Sequence, residues 1–225
     1  MKFLKIKFLM LTMILFSQVS FAEPIEKKVL IVGDSLGDGF WLGINNDRDR
    51  LTNEKIKTIK GSVQGQSITG KNFSSYIDKI KKMRSEINPD YVVIWIGAND
   101  QVPESKSSEK NSLYLNNFQI LYKKNALLLL DALKVQPEKV YWVSLPKMRS
   151  PKSDHNAHTI NLILKQISTE KKLHFVDIEK SLVDDAGNFS KTMNYKGKFI
   201  QTRADDGVHF TTIGYKIVSK LVTFN

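Results

Sequence analysis

The stretch KKVLIVGDSLGDGF, residues 27–40, constrains this chain more than any other. Four apolar, mostly β-branched residues, Val29, Leu30, Ile31 and Val32, run up to Gly33. The run is too short for a helix and lacks polar alternation, so it predicts a strand buried on both faces, as in a parallel sheet. The glycines that follow let the backbone turn sharply into a helix. Ser35 then stands at the carboxyl end of a parallel strand, where open α/β sheets bind their ligands. A serine so placed is a candidate nucleophile if a base and oxyanion donors stand at the other strand ends.

The same alternation continues along the chain. Residues 36–45 read as the first helix and 56–63 as a second strand that runs into Gly65. Residues 73–86 space Phe73, Ile77, Ile80 and Met83 on one helical face, with lysines on the other. A third buried strand, 91–96, ends at Gly97-Ala98-Asn99-Asp100, and a polar loop follows over 101–111. A helix is expected over 113–133, whose Leu127–Leu130 run reads as core-facing. A strand over 140–145, a helix over 154–171, a short strand over 174–177 and a closing helix over 210–224 complete the pattern. Turn sequences around Gly187 and Gly197 predict a small hairpin or irregular excursion within 178–203. Strands alternating with helices imply an α/β fold: a three-layer, doubly wound, parallel five-stranded sheet.

At 225 residues, the chain has room for one such domain with a sizeable core. Lys2, Lys5 and Lys7 precede an apolar stretch over 8–16, and Ser20-Phe21-Ala22 supplies small residues where a signal peptidase cuts. The expectation is a signal peptide over 1–22, a mature domain over 23–225, and a periplasmic or secreted protein with no stable membrane insertion after cleavage. The alternative is a retained anchor. No cysteine is present, which removes disulfides and any lipid-modified cysteine. The formal net charge is +11, and the three signal lysines account for three of these, leaving +8. The cations are mostly scattered lysines without interleaved aromatics, which argues against nucleic-acid binding and for a general attraction to an anionic envelope. His155 and His158 stand at HxxH spacing, but no third ligand accompanies them, so no metal or other cofactor is expected.

Four features fall at the predicted strand ends: Ser35, Gly65, Asn99, and Asp206 with His209. In Gly33-Asp34-Ser35-Leu36, Gly65, Gly97-Ala98-Asn99-Asp100 and Asp206-Gly207-Val208-His209, the chain resembles the SGNH (GDSL) hydrolases, in an exported bacterial branch. The second block departs from the pattern, with Gln64 in place of the commoner serine. The resemblance implies a flavodoxin-like sheet and a Ser35, Asp206, His209 triad. It also implies an oxyanion hole from the backbone N–H groups of Ser35 and Gly65 and the side chain of Asn99. The chemistry agrees: a serine hydroxyl needs a base, His209 can serve, and Asp206 can orient it. Residues 33–37 also fit G-x-S-x-G, but an α/β-hydrolase elbow follows several earlier strands, whereas Ser35 follows the first.

Asp34, Asp100 and Asp205 read as structural, bonding loop backbone. Trp41 is a candidate for stacking on a sugar, with a core role as its alternative. Lys147, Arg149 and Arg203 lie in loops expected to border the site and to hold a carboxylate or phosphate. Three readings follow. The first is an esterase cleaving short O-acyl esters, acetyl foremost, on a cell-envelope glycan. The second is an O-acyltransferase to a glycan with the same triad. The third is a glycan-binding envelope protein without turnover.

Overall fold

The computed structural model describes residues 26–104 and 107–224; the expected signal peptide lies outside them. In chain order the elements are β1 (Lys27–Gly33), α1 (Ser35–Asn45), α2 (Arg48–Asn53), β2 (Ile56–Lys60), α3 (Phe73–Ile87), β3 (Tyr91–Trp95) and α4 (Ser108–Leu133). There follow β4 (Val140–Val143), α5 (Pro151–Lys171), β5 (His174–Val176), β6 (Thr192–Tyr195), β7 (Lys198–Gln201) and α6 (Thr212–Ser219). Strands β1 to β5 form one parallel sheet in the order β2-β1-β3-β4-β5, with Val32 beside Ile94 and Gly33 beside Trp95. This is the flavodoxin-like order, and its direction reverses between β1 and β3. The loops leaving those two strands diverge, and Ser35 sits in the crevice they open.

The two central strands are apolar throughout because both faces are covered. Residues 29–32 and 92–95 have no solvent exposure. Each fully buried aliphatic side chain there contributes roughly 1.5–3 kcal/mol. Helices α1 and α6 pack together on one face; α3, α4 and α5 lie on the other. The α1–α6 contact depends on glycine. A Cβ on Gly39 would sit 1.9 Å from the Tyr215 ring, and one on Gly43 would sit 2.4 Å from the Tyr215 carbonyl carbon.

The ends of several elements differ from the sequence expectation, each for a local reason. Helix α4 begins at Ser108 because Ser107 takes an extended N-cap conformation and Glu109 stands in the first turn; that turn is too polar to show periodicity. Helix α5 begins at Pro151, where Ser150 accepts the Ser153 N–H. Helix α6 begins at Thr212, since Phe210 bridges to Arg203 and Thr211 caps the helix by accepting the Gly214 N–H. The β2 ladder ends at Lys60, although Gly61 and Val63 still donate to the Ile31 and Gly33 carbonyls, at 2.7 and 2.9 Å. Helix α2 was not expected. Its Arg50 donates to the Ser219 and Val222 carbonyls at 2.7 and 2.5 Å, while Asp47 pairs with Lys216 and Lys220, so this corner holds the carboxyl-terminal segment.

Residues 192–201 form the antiparallel β6–β7 hairpin. No described helix is long and apolar enough to cross a membrane.

Candidate active site

The β1 exit is fixed before any reactive group is considered. Asp34 is the N-cap of α1 and is fully buried. Its Oδ1 accepts the Leu36 N–H at 2.8 Å, and its Oδ2 accepts the Gly97 and Ala98 N–H groups, both at 3.0 Å. One carboxylate therefore ties the β1 turn to the β3 turn. Burial pushes its pKa up to about 6, against the lowering effect of those three N–H bonds. From α3, the Tyr76 hydroxyl accepts the Gly33 N–H at 2.7 Å.

Ser35 opens α1 within this frame. Its Oγ lies 2.7 Å from His209 Nε2, across 174 residues of chain. His209 Nδ1 lies 2.6 Å from Asp206 Oδ2. A carboxylate only accepts, so Nδ1 carries the proton and Nε2 is left to accept the serine O–H. Asp206 Oδ1 also accepts the Val208 and His209 backbone N–H groups, at 2.8 and 2.9 Å. Partial burial pushes Asp206 up, but these bonds and the imidazole outweigh it and hold its pKa at about 2.

The expected oxyanion donors lie on the neighbouring exits. Gly65 has φ of +72°, a region that favours glycine, and the space where its Cβ would be is open. Among the described residues, neither the Ser35 nor the Gly65 backbone N–H has a partner. The Asn99 amide donates to the Gln66 carbonyl at 3.0 Å and makes a longer 3.4 Å contact to Asp34, which joins the β3 exit to the β2 exit.

Arg203 does not border the site as a ligand-binding cation, contrary to expectation. It is fully buried and cannot reach a ligand. Its guanidinium donates to the carbonyls of Lys147, Val208 and His209 at 2.8, 3.0 and 3.3 Å, between the rings of Phe189 and Phe210. Burial lowers its pKa to about 10. It is a clamp on the Asp206–His209 loop. Arg149 is exposed, donates to the Asp205 carbonyl at 2.8 Å, and lies over Phe189. Lys147 pairs with Asp154 at 2.8 Å. Asp205 pairs with Lys191 rather than with loop backbone, whereas Asp100 does bond the backbone of Ile68 and Thr69. Trp41 packs against the core with its indole N–H buried, and the Lys60 ammonium lies 5.9 Å from its ring. His158 bonds Glu179 at 2.8 Å, and His155 is exposed.

Two supports were not legible in the sequence. Besides Tyr76, Asn161 of α5 both donates to and accepts from the Leu145 backbone, at 2.9 and 2.7 Å, which fixes the β4 exit. Each is a polar residue in an otherwise ordinary helix, with no local pattern to mark it.

Residues 28–224 match a family model described as a protein of unknown function (DUF459). The chain belongs to this family. Its fold is that of the SGNH hydrolases. A lipase/acylhydrolase from Enterococcus faecalis is 19% identical, with 88% of this chain and 93% of that one covered and a TM-score of 0.56. A variant of an acetyl-xylooligosaccharide esterase from Geobacillus is 16% identical over 87% and 91% of the two chains, with a TM-score of 0.57. An aryl esterase from M. smegmatis is 16% identical over 86% and 95%, with a TM-score of 0.55. An arylesterase of Vibrio mimicus is 29% identical over 98 residues. That match spans 40% of this chain and 46% of the relative, less than half its length. This DUF459 chain thus joins the fold of SGNH ester hydrolases to a serine, histidine and aspartate in hydrogen-bonded sequence.

Proposed function

We propose that the protein is an exported serine esterase that removes short acyl groups, acetyl foremost, from a cell-envelope glycan through an acyl-enzyme. The observation that carries the proposal is the continuous Ser35–His209–Asp206 relay, with 2.7 and 2.6 Å links. Ser35 Oγ attacks the ester carbonyl as His209 Nε2 takes its proton, and Asp206 steadies the imidazolium that forms. The new oxyanion meets the unpartnered N–H groups of Ser35 and Gly65, and the Asn99 amide joins them by turning from its long 3.4 Å contact to Asp34. Collapse breaks the ester C–O bond, and His209 returns the proton to the departing sugar oxygen, which leaves as a hydroxyl. Water, deprotonated by the same imidazole, then releases the acid and restores Ser35.

Support for an ester substrate comes from the arylesterase and the acetyl-xylooligosaccharide esterase among the similar proteins. Support for a short acyl group comes from the polar β2 and β3 exits, since a long-chain lipase needs an extended apolar pocket. The sequence of residues 1–22 is what argues for export, and with it for a substrate outside the cytoplasm.

The test is to incubate the purified protein with a fluorophosphonate probe, with aryl esters of increasing chain length, and with O-acetylated glycans. Labelling at Ser35 and acetate release are the expected results. Preference for chains of about eight carbons or more would overturn the glycan reading, because it demands a pocket of another kind.

A further inference from the structure

The loop that carries Gly65 walls a hollow of about 260 Å³, lined among others by Gln64, Gln66, Ser67, Lys71 and Asn72. We infer that this hollow is the subsite for an acidic sugar residue of the substrate, with Lys71 as the cation that binds its carboxylate. The inference deepens the esterase reading and rests on it for the position of the reacting ester.

Position comes first. The hollow shares Gly65 with the oxyanion donors. Its Val63 donates to the Gly33 carbonyl at 2.9 Å, and its Gln66 carbonyl receives the Asn99 amide at 3.0 Å. A group held there lies beside the Gly65 N–H.

Rigidity comes next. Asp100 accepts the Ile68 N–H, the Thr69 N–H and the Thr69 hydroxyl at 3.0, 2.7 and 2.6 Å, and Asn125 donates to the Ile68 carbonyl at 2.8 Å. Ile68 itself is fully buried. The wall is therefore formed before ligand arrives, which lowers the ordering cost of binding.

Chemistry selects the ligand. Amide and hydroxyl side chains line the hollow and suit the hydroxyls of a sugar. Asn72 makes no capping bond to α3, so its side chain remains available. The volume falls just below the range of about 300–1,000 Å³ typical of small-molecule pockets, which suits one ring rather than an extended acyl chain. Lys71 is the one charged lining residue and is exposed; it makes no ion pair among the described residues, and no carboxylate lines the hollow. The other cations expected to hold an anion are engaged: Arg203 by carbonyls, Lys147 by Asp154, and Arg149 by the Asp205 carbonyl and the Phe189 ring. A substrate carboxylate in the hollow meets an ammonium that has no competing partner.

The test compares oligogalacturonate with neutral xylo-oligosaccharide, as ligands in calorimetry and, O-acetylated, as substrates. Wild type should bind the acidic oligomer more tightly. K71A should reduce the acidic-to-neutral ratio of kcat/KM by about tenfold, the scale of one charge-assisted hydrogen bond. K71R should keep the preference and K71E should reverse it. Equal binding of both oligomers by wild type, or an unchanged ratio in K71A, overturns the inference. Wild type that binds oligogalacturonate through Lys71 but releases no acetate from any glycan upholds the subsite and overturns the esterase reading.

Discussion

Ser35→Ala should abolish both probe labelling and turnover, and His209→Ala should be nearly as severe. The two act as one unit, so the double variant should be little worse than either single one. Rate measurements on all three check this, and simple multiplication of the losses would contradict the 2.7 Å link. Asn99→Ala should lower kcat by about 10²–10³ with little change in KM, as expected for a donor that acts on the oxyanion. The Asp206 carboxylate makes stability depend on pH. Its folded pKa of about 2 lies below the ordinary 3.8, so its stabilising contribution is present above pH 3.8 and is lost as pH falls through 2. Urea unfolding of wild type and Asp206→Asn should therefore differ at neutral pH and converge in strong acid. Its carboxylate also stays ionised across the working range, so the activity profile should show no step from Asp206 there. A step at the ordinary carboxylate value of 3.8 that disappears in Asp206→Asn would show that Asp206 is not held low.

At the scale of elements, the loop that carries Asp206 and His209 is held by a buried side chain just ahead of it. Arg203, at the end of the excursion that contains β6 and β7, grips the carbonyls of Val208, His209 and Lys147. Arg203→Met leaves those carbonyls unpaired in a buried place, which costs about 1–3 kcal/mol for each such group not reached by water. Thermal unfolding should show a marked loss, and Arg203→Lys should recover only part of it because an ammonium lacks the planar fork. Helices α1 and α6 depend on close approach at Gly39. Gly39→Ala improves helix propensity by about 1 kcal/mol, yet its methyl would enter the Tyr215 ring, so a net loss of stability is expected. Pairing Gly39→Ala with Tyr215→Ala should relieve part of that loss, which a double-mutant cycle reads directly.

Across the whole molecule, the reversal of strand order between β1 and β3 creates the crevice, and the chain returns to it from three further exits. Asp34 fastens that crevice shut at its base. Its folded pKa of about 6 lies above the ordinary 3.8, so its contribution is fully present below pH 3.8 and is lost as pH rises through 6. The charged form is tolerated because its three backbone N–H partners have no other acceptor. Asp34→Asn replaces one accepting oxygen with a donor that faces a donor. It should destabilise by about 1–3 kcal/mol in urea unfolding and lower activity by loosening the Gly97–Asn99 turn.

The local sequence determined what local rules govern. Runs such as Val29–Val32 and Tyr91–Trp95 announce buried strands because a parallel sheet covers both faces, and glycine at the exits announces turns. Ser35, Gly65 and Asn99 follow such strands, and Asp206 and His209 stand just ahead of α6; each falls in a recognisable block, which is why they could be singled out as candidates. Tertiary structure alone decided what long-range packing governs. Arg203 reads as a surface cation from its neighbours, yet Phe189, Phe210 and the β4 exit bury it, and no local pattern encodes their convergence. Tyr76, Asn161 and the Asp34 bridge to Gly97 likewise join parts of the chain that only the folded sheet brings together. Periodicity reports which face of an element is buried. It carries no information about which distant carbonyl a polar side chain will meet, because hydrogen bonds are directional and depend on the placement of both partners.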